Sequence, residues 1–119
     1  MGITPVPSLD KGLFWDELHK YVASADLSTA ADIVTAPPAD QIVVIDDLLV
    51  SIAATAAQVT VQMETSNTVL GSVYLPVNGT ACITLRGGIR GDTVGKKILA
   101  KTSVATAVAI SVNYHFEPI

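Results

Sequence analysis

Residues 107–116 read Ala107-Val108-Ala109-Ile110-Ser111-Val112-Asn113-Tyr114-His115-Phe116. Large apolar side chains alternate there, without a break, with small or polar ones. Successive side chains of a pleated strand point to opposite faces, so this period of two predicts a strand with one buried face. Residues 58–64 repeat the idiom, with Val59, Val61 and Met63 set against Gln58, Thr60, Gln62 and Glu64. Further strands are expected over 31–36, 41–46, 48–53, 68–75, 80–85 and 97–103. Pro37-Pro38, Pro76 and Asn78-Gly79 supply the breaks and turns. About eight short strands with frequent turn signals predict an all-β fold, an antiparallel β-sandwich or jelly roll occupying residues 30–119.

One stretch departs from alternation. Between Ile42 and Ile52 both parities are apolar: Ile42, Val44, Leu48, Val50 and Ile52 on one, Val43, Ile45 and Leu49 on the other. A strand apolar on two faces needs two covers. One is the opposing sheet; a second subunit or the N-terminal segment would be the other. Asp46-Asp47 interrupts the run, and buried unpaired carboxylates are costly, so a bulge or bend is expected there. Two tips, 53–57 and 104–107, are built from Ala, Val and Thr without Gly, Asn or Pro. Small apolar tips suit a surface that packs against something.

Half of the 119 residues are hydrophobic, only 15% are charged and 5% are aromatic. Globular chains carry about a quarter charged residues, so this surface has few charges to keep it dispersed and is expected to meet partners. The net charge of −4 is unevenly placed. Nine acids stand against Lys11 and Lys20 up to Glu64. Beyond it, Arg86, Arg90, Lys96, Lys97 and Lys101 face only Asp92 and Glu117. The acidic total argues against nucleic-acid binding, which wants a broad basic footprint. No apolar run is long enough for a transmembrane helix, so no membrane partner is expected. The start of the chain lacks a signal-peptide pattern, which makes a cytoplasm the expected place of folding. Cys82, the single cysteine, is expected to be a buried, inert thiol in an apolar strand.

Residues 1–29 read as an arm and a short helix. Pro5 and Pro7 fix an extended course, with Ile3, Val6 and Leu9 as its apolar residues. Residues 8–22 form the one helix candidate: Ser8 as cap, Leu9, Leu13, Leu18, Tyr21 and Val22 at roughly helical spacing, and an Asp16–Lys20 pair. Phe14 and Trp15 lie beside that stripe. The cluster of aromatics suggests a docking anchor, since aromatics dominate interface hot spots, or a cover for an open end of the sandwich.

Patterns for catalysis are poor. His19 and His115 have no Cys or carboxylate at ligand spacing, so no metal is expected. Asp46 and Asp47, adjacent on a strand, point to opposite faces and cannot form a dyad. The run from Gly87 to Lys97 is superficially a phosphate loop, but it has three residues where four belong and Lys97 in place of Ser or Thr. It reads as a basic connection. Arg90-Gly91-Asp92 and the sequon Asn78-Gly79-Thr80 are short matches without supporting context. Neither enzyme activity nor a cofactor is expected.

The stretches 31–37 (Ala-Asp-Ile-Val-Thr-Ala-Pro), 41–51, 74–80 (Tyr-Leu-Pro-Val-Asn-Gly-Thr) and 112–115 together resemble a family of small virion proteins of tailed bacteriophages, the head decoration or cement proteins. That resemblance covers residues 30–116 and implies a jelly-roll-like fold, a homotrimer, the major capsid protein as partner and a place on the virion surface after synthesis in the bacterial cytoplasm. The expected partner-binding residues are Ile3, Pro5, Leu13, Phe14, Trp15, Leu18 and Tyr21, with Arg86, Arg90, Lys96 and Lys97 facing acidic capsid. A tail, neck or fibre module and a carbohydrate-binding sandwich are the alternatives.

Overall fold

A computed structural model describes residues 18–118 of the chain. Nine strands and no helix occur among them: β1 (Leu18–Ser24), β2 (Ala31–Val34), β3 (Gln41–Ile52), β4 (Ala57–Met63), β5 (Val69–Leu75), β6 (Thr80–Ile83), β7 (Ile89–Arg90), β8 (Ile98–Thr102) and β9 (Val108–Pro118). One sheet has the order β1-β9-β3-β6, with β7 also on β3; the other has the order β2-β8-β4-β5. All pairings are antiparallel. Most successive strands change sheet, and only β4–β5 forms a hairpin between neighbours within one. With β6 and β7 counted as one interrupted strand, this is the eight-strand, two-sheet jelly roll.

The alternating segments take the positions their pattern demands. In β4, Ala57, Val59, Val61 and Met63 are buried and the residues between them half-buried. In β9, Val108, Ile110, Val112 and Tyr114 point inward, and Tyr114 packs its ring against Phe116 at 5.8 Å. Opposing them across the core are Ile33, Val34, Ile98 and Ala100 of β2 and β8. No buried side-chain polar atom lacks a partner among the described residues, as a dry sandwich core requires.

Three expectations need correction. The helix over 8–22 is not formed where it can be seen: residues 18–22 are strand, and residues 8–17 lie outside the described residues. Seven consecutive pairs to β9, from Leu18↔Tyr114 to Ser24↔Val108, give the backbone a ladder that weak helical spacing cannot match. The two strands expected over 41–53 are one strand of 12 residues, β3. The register against β9 slips between Ile45 and Asp47, so the expected bulge bends the strand without ending it. Cys82 is exposed, on the solvent face of β6 opposite Leu49.

The corners explain the missing turn residues. The tips at 53–56 and 103–107 carry the chain from one sheet to the other at the same end of the sandwich. They bond to each other: the Ala53 amide donates to the Ala107 carbonyl, and the Thr55 amide to Oγ1 of buried Thr106. An arch between layers does not need the positive φ of a tight hairpin. Where tight reversals do occur, Thr65, Asn67 and Asn78 adopt positive φ.

Gly88 combines a left-handed backbone with a close approach to β3. It has φ +77°, and a Cβ there would lie 2.6 Å from the Ile45 carbonyl oxygen and 2.8 Å from Val44 Cγ1. It lets the chain between β6 and β7 bend closely against β3. Gly88→Ala should cost about 1–2 kcal/mol from the backbone conformation alone, read as a lower denaturation midpoint at unchanged m-value.

Candidate assembly surface

The solvent face of the β1-β9-β3-β6 sheet can be read row by row from its register. Tyr21, Ser111, Leu49 and Cys82 form one row across the four strands. Ala23, Ala109, Ser51 and Thr80 form the next. On the other side lie His19, Asn113 and Asp47, where His19 Nδ1 and Asn113 Oδ1 are 2.9 Å apart and the Thr84 hydroxyl donates to Asp47. Tyr21 is 61% exposed and Leu49 45%. Small side chains surround these two, and Asp47 is the one formal charge in the three rows. A charge-poor field with two projecting apolar residues can be covered at little desolvation cost.

Beyond those rows the same face changes character. His115 Nδ1 lies 2.8 Å from Asp46 Oδ2, and its Nε2 2.7 Å from Glu117 Oε2. Glu117 also receives Arg90 Nη2 at 2.8 Å. Strands β9, β3 and β7 thus each contribute to one cluster. Burial works to lower the His115 pKa, but hydrogen bonds and charges from Glu117 and Asp46 raise it overall. The Arg90 hydrogen bond, then that of His115, holds Glu117 below its ordinary value. Both ring nitrogens are engaged by carboxylates on opposite sides, so these groups do not converge on one point as metal ligands would. The arrangement can clamp strands together and respond to protons.

This cluster also resolves the two-faced strand. Val44, buried, stands in register between Arg90 and His115, and Ile42, buried, opposite Glu117. Leu49, further along β3, stays open. The outer face of β3 therefore divides into a half closed by its own chain and a half available to a partner. The sequence signal for the cluster was the i,i+2 spacing of His115 and Glu117, which places both on one face of a strand. Their partners Asp46 and Arg90 come from distant strands.

The structure does not gather the expected basic residues into one patch. Arg90 is committed to Glu117 on the first sheet, and Lys97 pairs with Asp32 at 2.8 Å beside the second. Arg86 lies exposed between β6 and β7, and Lys96 just before β8; neither has an ion pair among the described residues. The phosphate-loop resemblance also dissolves, since the Gly91 and Gly95 amides donate to the Val43 and Gln41 carbonyls. Leu18 and Tyr21 lie on β1, half-facing and fully facing solvent. Ile3, Pro5, Leu13, Phe14 and Trp15 lie outside the described residues. Tyr74 is 76% exposed on β5: it stands in register with Gln58 on the outer face of its sheet, while its neighbours Val73 and Leu75 pair with core-facing Val59 and Ala57.

No protein-family model and no curated protein matches the chain. Solved structures do. A chain of the cyanophage Pam1 capsid asymmetric unit is 14% identical, with TM-score 0.57, over 94% of this chain and 93% of that one. A chain from Bacillus endospore appendages, a family of disulfide-linked pili, is 9% identical, with TM-score 0.55, over 89% and 90%. A virus-like particle of the extra small virus of the prawn Macrobrachium rosenbergii aligns at 11% identity and TM-score 0.44, over 98% and 85%. At such identities the first two likenesses establish the fold: across nearly its whole length, this chain has the architecture of chains found in a capsid and in a pilus.

Proposed function

We propose that the protein is a structural virion component, a decoration (cement) protein that sits as a homotrimer on the outside of a phage head and bridges major capsid subunits. The observation that carries this reading is the end-to-end likeness to a chain of the Pam1 capsid asymmetric unit. The charge-poor outer face with Tyr21 and Leu49 supports it. In this reading Leu18, Tyr21 and the preceding segment, with Ile3, Pro5, Leu13, Phe14 and Trp15, supply apolar contacts to neighbouring subunits and to the capsid. Arg86 and Lys96 meet acidic capsid surface, while Arg90 and Lys97 act mainly within the subunit. Several modest contacts per trimer combine into firm attachment through effective concentration. The protein has no catalytic role here and takes no cofactor.

Purified protein mixed with expanded, undecorated heads should co-sediment and saturate at a fixed ratio. Failure to co-sediment at saturating concentration would sink the proposal. The pilus likeness favours a second placement, a tail, neck or fibre-associated module. Electron microscopy of particles carrying a label on this chain separates the two, head label supporting the first and tail label the second.

A further inference from the structure

The sandwich gapes along one side. Between β5, at the edge of one sheet, and β6–β7, at the edge of the other, lies a cleft of about 250 Å³ walled by Leu48, Ile83, Ile89, Val59, Val61 and Val73. Gly71 on β5 pairs with core-facing Val61, so its side-chain position faces the same interior, and a Cβ there would meet nothing within 4 Å. An apolar cavity of about 150 Å³ takes up a benzene ring; this one has room for a larger aromatic group. β5 itself is a free edge. Its seven residues, Val-Leu-Gly-Ser-Val-Tyr-Leu, carry no charge and no proline, and it pairs only with β4. Such an edge offers unpaired backbone donors and acceptors to an incoming strand.

We propose that residues 12–17 of a second copy of this chain add to β5 and seat Trp15 in the cleft, with Leu13 on the same side of the added strand. The inference rests on the homo-oligomer reading above and names its joint. Reach selects the second copy. Trp15 precedes Leu18, the first residue of β1, by only three positions, which span roughly 10 Å at most. β1 and β6 sit at opposite edges of their sheet, three inter-strand spacings or roughly 14 Å apart. Glu17, the last residue of the added strand, is bonded to Leu18 and so stays within about 4 Å of β1; that strand therefore cannot lie along its own subunit's β5, whereas the β5 of a copy packed beside β1 is within reach. Sequence selects the segment: residues 12–17 lack proline, and Leu13 and Trp15 share one parity. The contact is head-to-tail, so it closes into a ring such as a trimer when the rotation permits and otherwise propagates.

The test uses the full-length chain and its single tryptophan. Light scattering should show an oligomer that dissociates on dilution, with Trp15 emission moving from buried to solvated wavelengths in step. Gly71→Leu, which fills the cleft from within, should leave a folded monomer with solvated Trp15. Trp15→Ser should weaken association roughly thirty-fold or more while β-sheet circular dichroism is retained. The proposal is overturned by a wild-type chain that is monomeric at all concentrations, whether its Trp15 is buried on its own sandwich or solvated, or whose cleft is occupied by a co-purifying apolar small molecule. It is equally overturned by an oligomer that survives Trp15→Ser unchanged. Head binding is read separately. A monomer that co-sediments with heads defeats the arm exchange alone, and an arm-exchanged oligomer that does not co-sediment defeats the decoration reading alone.

Discussion

Ile45→Ala should lower folding stability by about 3–4 kcal/mol, while Leu49→Ala, on the same strand, should change it by less than about 0.5 kcal/mol. Both residues belong to the run from Ile42 to Ile52 in which both parities carry apolar residues. Ile45 is 1% exposed, in register between Tyr114 and Ile89, and part of the core. Truncation there removes transfer free energy and leaves a cavity the two rigid sheets cannot close. Leu49 projects from the opposite face with almost half its surface in water. Domains of this size are stable by about 5–15 kcal/mol, so the first change consumes a large fraction of the total and the second is invisible to folding. Urea denaturation of the two variants measures the contrast. Equal losses would show that the outer face of β3 is covered within the monomer. A Leu49→Ala protein that folds normally but binds heads less tightly would mark that face as the docking field.

The same strand shows how far local pattern carries. Alternation located β4 and β9 because each has one core face and one solvent face, the condition under which a period of two is visible. It also placed the bulge at Asp46-Asp47, where two carboxylates could not both continue a buried run. Alternation could not tell that 41–53 is one strand, since a bulge interrupts parity without interrupting pairing. Nor could it find β1. Leu18, Lys20, Val22 and Ser24 alternate with His19, Tyr21 and Ala23 in the structure, but half of those inward positions are polar and the edge location relaxes burial. What fixes β1 is the ladder to β9, nearly a hundred residues away. The split strand and the missed strand offset each other, so about eight was close to the mark for reasons partly accidental. At the assembly surface, Tyr21 was singled out only as part of a helical apolar stripe; its place on the outer face of β1 comes from the ladder to β9. Leu49 was not legible either, because membership in an apolar run conceals which side of the bulge a residue falls on. The cleft depends on where two sheet edges end relative to each other, and local spacing does not encode that.

His115→Ala should destabilise the fold by about 1–2 kcal/mol near pH 6, because it removes two charge-assisted hydrogen bonds at a half-buried site and leaves Asp46 without that partner. The wild type should show the same dependence through titration. Glu117 and Asp46 raise the folded pKa of His115 above the unfolded value of 6.5. The folded state therefore holds the proton more tightly, and this stabilisation is complete below pH 6.5 and lost as pH rises through the folded pKa. Glu117 has the opposite sign: its folded pKa lies below the unfolded 4.5, so its contribution is present above pH 4.5 and lost as pH falls through the folded value. The cluster contributes most between those limits, and stability should decline on the alkaline side as well as the acid side. Since β9, β3 and β7 all meet at His115, the alkaline loss should appear as faster hydrogen exchange at the 115–117 end of β9 before it appears in the Ile110–Val112 core. His115→Gln, which keeps hydrogen bonding without a titrating proton, should flatten the alkaline limb. A wild-type profile that stays level from pH 6 to 9, or an alkaline limb unchanged in His115→Gln, would remove His115 as the source of the effect.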